Sequence, residues 1–104
     1  MFVAKVTGSL VATQKVDNMR GFKLMLVEPY RVAADGASLA PTGRVFVAVD
    51  ALGAGEGEMV LITQGSSARF TPETKELPID TVIIGIVDRV DMGAACVFDK
   101  NEAQ

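Results

Sequence analysis

The chain has 104 residues, with ten Lys and Arg against thirteen Asp and Glu, no His, no Trp and a single Cys. That length suits one domain, expected over residues 1–104 with a core over about 1–92 and a C-terminal tail over 93–104. The missing His removes the usual general base and the commonest transition-metal ligand, and the lone Cys96 permits neither an internal disulfide nor a Cys-ligated zinc site. A net charge of −3, with the basic residues scattered singly, argues against a phosphate-backbone binder.

The longest stretch without a charge is the ten residues Met59 to Ala68, far below the ~20 that span a bilayer. The N-terminal apolar run is interrupted by Lys5, Thr7, Gly8 and Ser9, unlike a signal peptide. The expectation is a cytoplasmic location with no membrane partner. Ala and Val supply 27 of the 51 apolar residues, and this bias toward small and branched side chains favours strands and close packing.

Phe2 to Thr13 alternates, with Phe2, Ala4, Val6, Leu10 and Ala12 on one face and Lys5, Thr7, Ser9 and Thr13 on the other. Period two predicts a long strand, with a bend or bulge at Gly8. A polar connection over Val16 to Arg20 leads to a second strand, Phe22 to Glu28, that ends at Pro29. Arg31 to Gly43, with Asp35, Gly36, Pro41 and Gly43, reads as a loop. Arg44 to Ala51 is the third strand, with Val45, Val47 and Val49 on one face, and Gly53 to Gly57 is a turn before the fourth strand, Glu58 to Gln64. Gly65 to Leu77, bounded by Pro72 and Pro78, holds a short helical turn at most. Asp80 to Asp91 is the fifth strand, and Cys96, Val97 and Phe98 form a short strand in the tail.

Five strands and a short helix between the fourth and fifth predict an all-β fold, a small OB-like barrel. In a closed barrel one strand face should be apolar and the other polar. Here Phe22, Leu24 and Leu26 oppose Met25 and Val27, and Val82, Ile84 and Ile86 oppose Ile83 and Val87. A chain this short has little material to cover a second apolar face, so self-association is expected.

Three patterns invite chemistry. Gly53-Ala54-Gly55-Glu56-Gly57-Glu58 approaches a dinucleotide fingerprint, but the third Gly position holds Glu58, a strand follows instead of a helix, and two carboxylates would repel a pyrophosphate. A glycine-rich hairpin or interface turn is the better reading, and no cofactor is expected. Gly65-Ser66-Ser67-Ala68-Arg69 resembles a nucleophile elbow only in outline, since Arg69 replaces the closing Gly and no His can activate either Ser. A helix N-cap explains the serines. A buried Arg69 would need an anionic or carbonyl partner, which Asp80 or Asp88 could supply. The carboxylates Asp50, Glu56, Glu58, Asp80, Asp88 and Asp91 follow no metal-ligand spacing and read as solvated or ion-paired, and Cys96 reads as a small buried or half-buried hydrophobe.

In order along the chain, Ala4-Lys5-Val6-Thr7-Gly8, Val11-Ala12-Thr13-Gln14-Lys15, Gly21-Phe22-Lys23-Leu24-Met25-Leu26-Val27, Val47-Ala48-Val49-Asp50, Gly53-Ala54-Gly55 to Glu58, Val60-Leu61, Gly65 to Arg69, Pro78-Ile79-Asp80 and Ile84-Gly85-Ile86-Val87-Asp88 resemble the EutN/CcmL family. The resemblance runs from Met1 to about Met92 and departs in a longer connection, Tyr30 to Thr42, and in the tail after Gly93. It implies a small β-barrel that assembles into homopentamers at the vertices of bacterial microcompartment shells, carboxysomes or metabolosomes, beside facets of hexameric shell proteins. Under that resemblance Gly53, Ala54, Gly55, Glu56, Glu58, Gly65, Ser66, Ser67, Ala68, Arg69 and Asp88 would hold the ring together or shape its edge or centre, with no catalytic residue, cofactor or metal. The alternative is an OB-like binding module for nucleic acid or oligosaccharide, which would need a basic groove and exposed stacking aromatics. Six aromatics on an acidic chain suit it poorly.

Overall fold

In the computed structural model, residues 1–11, 22–65 and 80–101 are described. They contain eight strands: β1 (Phe2–Leu10), β2 (Lys23–Val32), β3 (Leu39–Pro41), β4 (Phe46–Asp50), β5 (Met59–Gln64), β6 (Thr81–Ile86), β7 (Arg89–Met92) and β8 (Ala95–Asp99). β1 pairs with both β5 and β2, and β5, β6, β4 and β2 follow in lateral order, so five strands close into a barrel. All its pairings are antiparallel except β4 with β6. This is the all-β, five-stranded closure expected from the alternating segments. The short helix expected between the fourth and fifth strands falls in 66–79, outside the described residues.

Small side chains fill the interior because a five-stranded barrel is narrow. Ala4, Val6, Met25, Val27, Ala48, Ala54, Val60, Ile62 and Ile83 form one buried cluster, with Phe46 and Ile86 packed against it. Each buried Val, Ile or Met stabilises the fold by roughly 1.5–3 kcal/mol relative to exposure. Alanine lets opposite walls approach where a larger residue would not fit.

Two bulges decide which residues face inward. On β1 the register against β2 shifts between Val6 and Gly8, so Thr7 is the extra residue; its Oγ1 donates to the Leu26 carbonyl at 3.3 Å. The bulge anticipated at Gly8 therefore exists, but it breaks the expected alternation. Leu10 lies opposite Leu24 on the outer face, not beside Ala4 and Val6. On β6 the register against β5 shifts at Leu61/Ile62, leaving Ile84 as the extra residue. Ile83 and Ile86 then both turn toward the core, whereas strict alternation grouped Ile86 with Val82 and Ile84.

Two strand limits differ from the sequence reading. The second strand does not end at Pro29. Proline lacks an amide, and the β1–β2 ladder stops at the Ala4–Pro29 pair. β2 nevertheless continues to Val32 by pairing with β3, so much of the expected 31–43 loop is a β-ribbon. Its tip is held by Asp35, which accepts from the Ala37 amide and the Ser38 hydroxyl. The long fifth strand is also interrupted: the ladder with β5 ends at Ile86, and Arg89–Met92 instead forms a hairpin with β8, with Gly93 at φ 61° in the turn. Cys96 is exposed on β8, correcting its reading as a small buried or half-buried hydrophobe.

The barrel's outer face carries the surplus apolar residues. Register places Leu10, Leu24, Val49 and Val82 side by side across β1, β2, β4 and β6, and Leu26 beside Val47 in the next row. Val49 and Val82 are buried beneath Phe22, Leu24 and Ile84. Val47 and Val45, by contrast, are 44% and 55% exposed, so the face formed by Val45, Val47 and Val49 is the outer one. Among the described residues no helix is long and apolar enough to cross a membrane.

Candidate functional site

The turn from Asp50 to Glu58 is built by two carboxylates from its own sequence. Asp50 ends β4 and is 3% exposed. Its Oδ1 accepts from the Leu52 and Gly53 amides at 2.8 and 3.2 Å, and its Oδ2 accepts from the Ala54 amide at 2.8 Å. An acidic side chain bonding backbone amides two to four residues ahead is a common turn device. Gly53 accepts φ 84° at this point, where a side chain would be strained, and Ala54 is drawn into the core cluster.

The second half closes on Glu58. Its Oε1 accepts from the Gly55 amide at 2.7 Å, while its own amide donates to the Gly55 carbonyl at 3.1 Å. Gly57, at φ 88°, donates to the Val6 carbonyl at 2.8 Å, and Val6 donates back to the Glu58 carbonyl at 2.9 Å. The turn is thereby stitched onto β1. Asp50 and Glu58 already occupy the amides that a phosphate-binding loop would present to a ligand. Asp50 is a buried acceptor for main-chain amides, which corrects its reading as solvated or ion-paired.

Glu56, Gly57 and Glu58 also line a cleft of about 490 Å³ with Lys5, Met59, Val87, Phe98 and Lys100. Lys100 Nζ lies 3.1 Å from Asp88 Oδ1 and 3.9 Å from Glu58 Oε2. The Lys100 amide donates to the Asp88 carbonyl at 2.9 Å. One ammonium thus joins Asp88 to Glu58 and moors the β7–β8 hairpin to the turn. These groups are substantially exposed, so the pairs contribute geometry more than stability. Farther along the hairpin, the exposed Arg89 guanidinium is raised above its ordinary pKa, first by its hydrogen bond to Asp91.

The structure groups Gly53, Ala54, Gly55, Glu56 and Glu58 and links Asp88 to them. Gly65 is elsewhere. It follows β5, at the opposite end of that six-residue strand from the turn, roughly 20 Å away at 3.3 Å per residue. There it adopts φ 69° and donates its amide to the Asp80 carbonyl at 2.8 Å. Ser66, Ser67, Ala68 and Arg69 lie outside the described residues, so the expected pairing of Arg69 with Asp80 or Asp88 lies outside them too. Sequence reasoning missed the part played by Lys100, an isolated lysine in a polar tail. The role of Asp50 was visible in principle, as an acidic residue three positions before a glycine at a strand end. Among the described residues no group of three or more His, Cys, Asp or Glu is placed to hold a metal ion.

Comparison with known proteins agrees with this geometry. Residues 1–88 match the family model EutN_CcmL, described as ethanolamine utilisation protein EutN/carboxysome. The microcompartment shell vertex protein PduN of Salmonella typhimurium is 49% identical over 89 residues, covering 85% of this chain and 96% of that protein. The solved structure of Gloeobacter violaceus CcmL superposes with a TM-score of 0.85 at 33% identity, covering 98% of this chain and all of that one. The pentameric microcompartment shell protein GrpN from Rhodospirillum rubrum superposes at 0.74 with 38% identity, over 89% of this chain and 99% of that one. By sequence across its barrel and by the course of its backbone, the chain belongs to the EutN/CcmL family.

Proposed function

We propose that this protein is a structural, non-catalytic subunit that assembles into a homopentamer and closes the vertices of a bacterial microcompartment shell, beside hexameric shell proteins. The observation that carries this reading is the outer apolar row around Leu10, Leu24, Leu26, Val45 and Val47. A monomer leaves Leu10, Val45 and Val47 exposed and Leu24 and Leu26 half-buried, and solved relatives of the same fold include a pentameric shell protein. A ring buries such a surface by placing the same two patches against each other at every interface.

In this reading the Gly53–Glu58 turn and the segment Gly65, Ser66, Ser67, Ala68 and Arg69 hold or edge the ring. Glycine, alanine and serine allow backbones to approach closely there. The turn's rigidity suits that role, because Asp50 and Glu58 fix its shape without help from a ligand. The turn and Gly65 lie at opposite ends of β5, which suits a ring in which one end of each subunit faces the other end of its neighbour. No cofactor is needed, and the carboxylates serve main-chain amides and ion pairs.

Arg69→Ala is the direct test of the segment. The variant is expected to keep its β-rich circular dichroism spectrum while native mass spectrometry shows smaller species than the wild-type ring. A ring of unchanged mass and resistance to dissociation would remove Arg69 from the interface.

A further inference from the structure

Among the described residues, one end of the barrel carries a cleft lined unlike the rest of the molecule. Phe2 lies opposite Ile62, Phe46 lies opposite Val27, and Gln64 is two residues beyond Ile62, so all three occupy core-facing positions at strand ends. With Pro29, Arg31 and Arg44 they line a cleft of about 210 Å³. Phe2 is 46% exposed there, at a position where the barrel interior would otherwise bury it.

The cause of the cleft is in the sequence. Pro29 marks the end of the β1–β2 ladder, and β2 runs on to Val32 with β3 on one side and, among the described residues, no strand partner on the other. Thr42 fixes the base of this extension by donating both its hydroxyl and its amide to the Pro29 carbonyl, at 2.7 and 3.1 Å. The extension belongs to the stretch Tyr30 to Thr42.

The charge is equally distinctive. On a chain of net charge −3, two of the three arginines among the described residues line this one cleft. Among the described residues neither is paired with a carboxylate. The Arg44 guanidinium lies 5.5 Å from the centre of the Phe46 ring, a cation–π arrangement that holds the group over the apolar floor, with no carboxylate paired to it among the described residues. The nearby Glu28 carboxylate is engaged by the Gly43 amide at 2.9 Å. The arrangement therefore combines two aromatic walls, two guanidinium groups and a strand edge unpaired among the described residues.

We propose that this barrel mouth is a docking site for an extended acidic segment of a partner protein, with a large apolar side chain between Phe2 and Phe46 and flanking carboxylates on Arg31 and Arg44. Barrel mouths are common recognition sites, and an unpaired edge accepts an extended chain as an added strand. Charge complementarity selects the acidic segment: guanidinium groups bind carboxylates through paired, charge-assisted hydrogen bonds.

Fluorescence anisotropy on the full-length protein tests this with a labelled peptide, Asp-Glu-Leu-Phe-Glu-Asp, and two controls: one with lysines for its acidic residues, the other with alanines for Leu-Phe. The acidic peptide is expected to bind and both controls to fail. Arg31→Glu and Arg44→Glu should each weaken binding at least ~10-fold, the effect of losing one charge-assisted contact, while leaving the circular dichroism spectrum unchanged. Binding indifferent to peptide charge, or unchanged in both variants, overturns the proposal. So does an absence of peptide binding where free phenylacetate still binds with the same arginine dependence, since the site would then take a small carboxylate.

Discussion

Asp50 holds the candidate site's turn from inside the barrel, and Asp50→Asn isolates that role. The carboxylate is 3% exposed and takes three amides, two on Oδ1 and one on Oδ2. Asparagine keeps one carbonyl oxygen. If that oxygen faces Leu52 and Gly53, the new amide group meets the Ala54 N–H donor to donor, and the bond inside the core cluster is lost. One charge-assisted bond is worth ~1.5–3 kcal/mol, and the other two become ordinary bonds of about half their former strength. The expected loss is about 3–6 kcal/mol, a large share of the ~5–15 kcal/mol that stabilises a domain of this size. Each kcal/mol moves the melting temperature of such a domain by roughly 4–8 °C, so a drop of more than ~10 °C is expected at matched protein concentration. Urea unfolding followed by circular dichroism provides the free energy. A change below ~0.5 kcal/mol would refute the reasoning, because the turn would then owe nothing to its buried acceptor.

Three further outcomes follow. Gly57→Ala forces a β-carbon into φ 88°, where no neighbouring atom lies within 4 Å of it, so conformational strain alone should destabilise the barrel by ~1–2 kcal/mol in the same unfolding assay. Val47→Asp replaces a residue that is 44% exposed in the monomer; sedimentation should show ring loss, while isolated-chain stability changes by no more than ~1 kcal/mol. Replacing the ribbon tip from Ala33 to Ser38 by a two-residue turn should leave both folding and ring assembly intact, since β2 and β3 remain paired through Tyr30–Pro41 to Val32–Leu39; loss of the ring on size-exclusion chromatography would place the tip in the interface.

The barrel was legible because its signals are local. Period-two alternation located the barrel strands, and glycine at position 8 marked the first bulge. The inward and outward faces were harder to read, because each bulge reverses the alternation beyond it and its extra residue, Thr7 or Ile84, is itself neither glycine nor proline. The continuation of β2 past Pro29 escaped for a related reason. Proline ends one ladder without ending the strand when a different partner, β3, waits on the other side. At the candidate site the glycines and Glu58 were visible as a turn, but the link from Lys100 to Asp88 and Glu58 joins residues 42 positions apart in sequence and follows only from the hairpin's fold. The surplus apolar face was readable from the opposing sets in the second and fifth strands. Coordinates then sharpened it, burying Val49 and Val82 within the chain and leaving Val45 and Val47 in water.

The central claim, that this chain is a ring-forming subunit whose outer face is completed by its own copies, is tested most directly by its mass in solution. Light scattering coupled to size-exclusion chromatography should give about 55 kDa, five copies of an 11.0 kDa chain. A single peak at 11.0 kDa that persists as concentration rises would contradict the account.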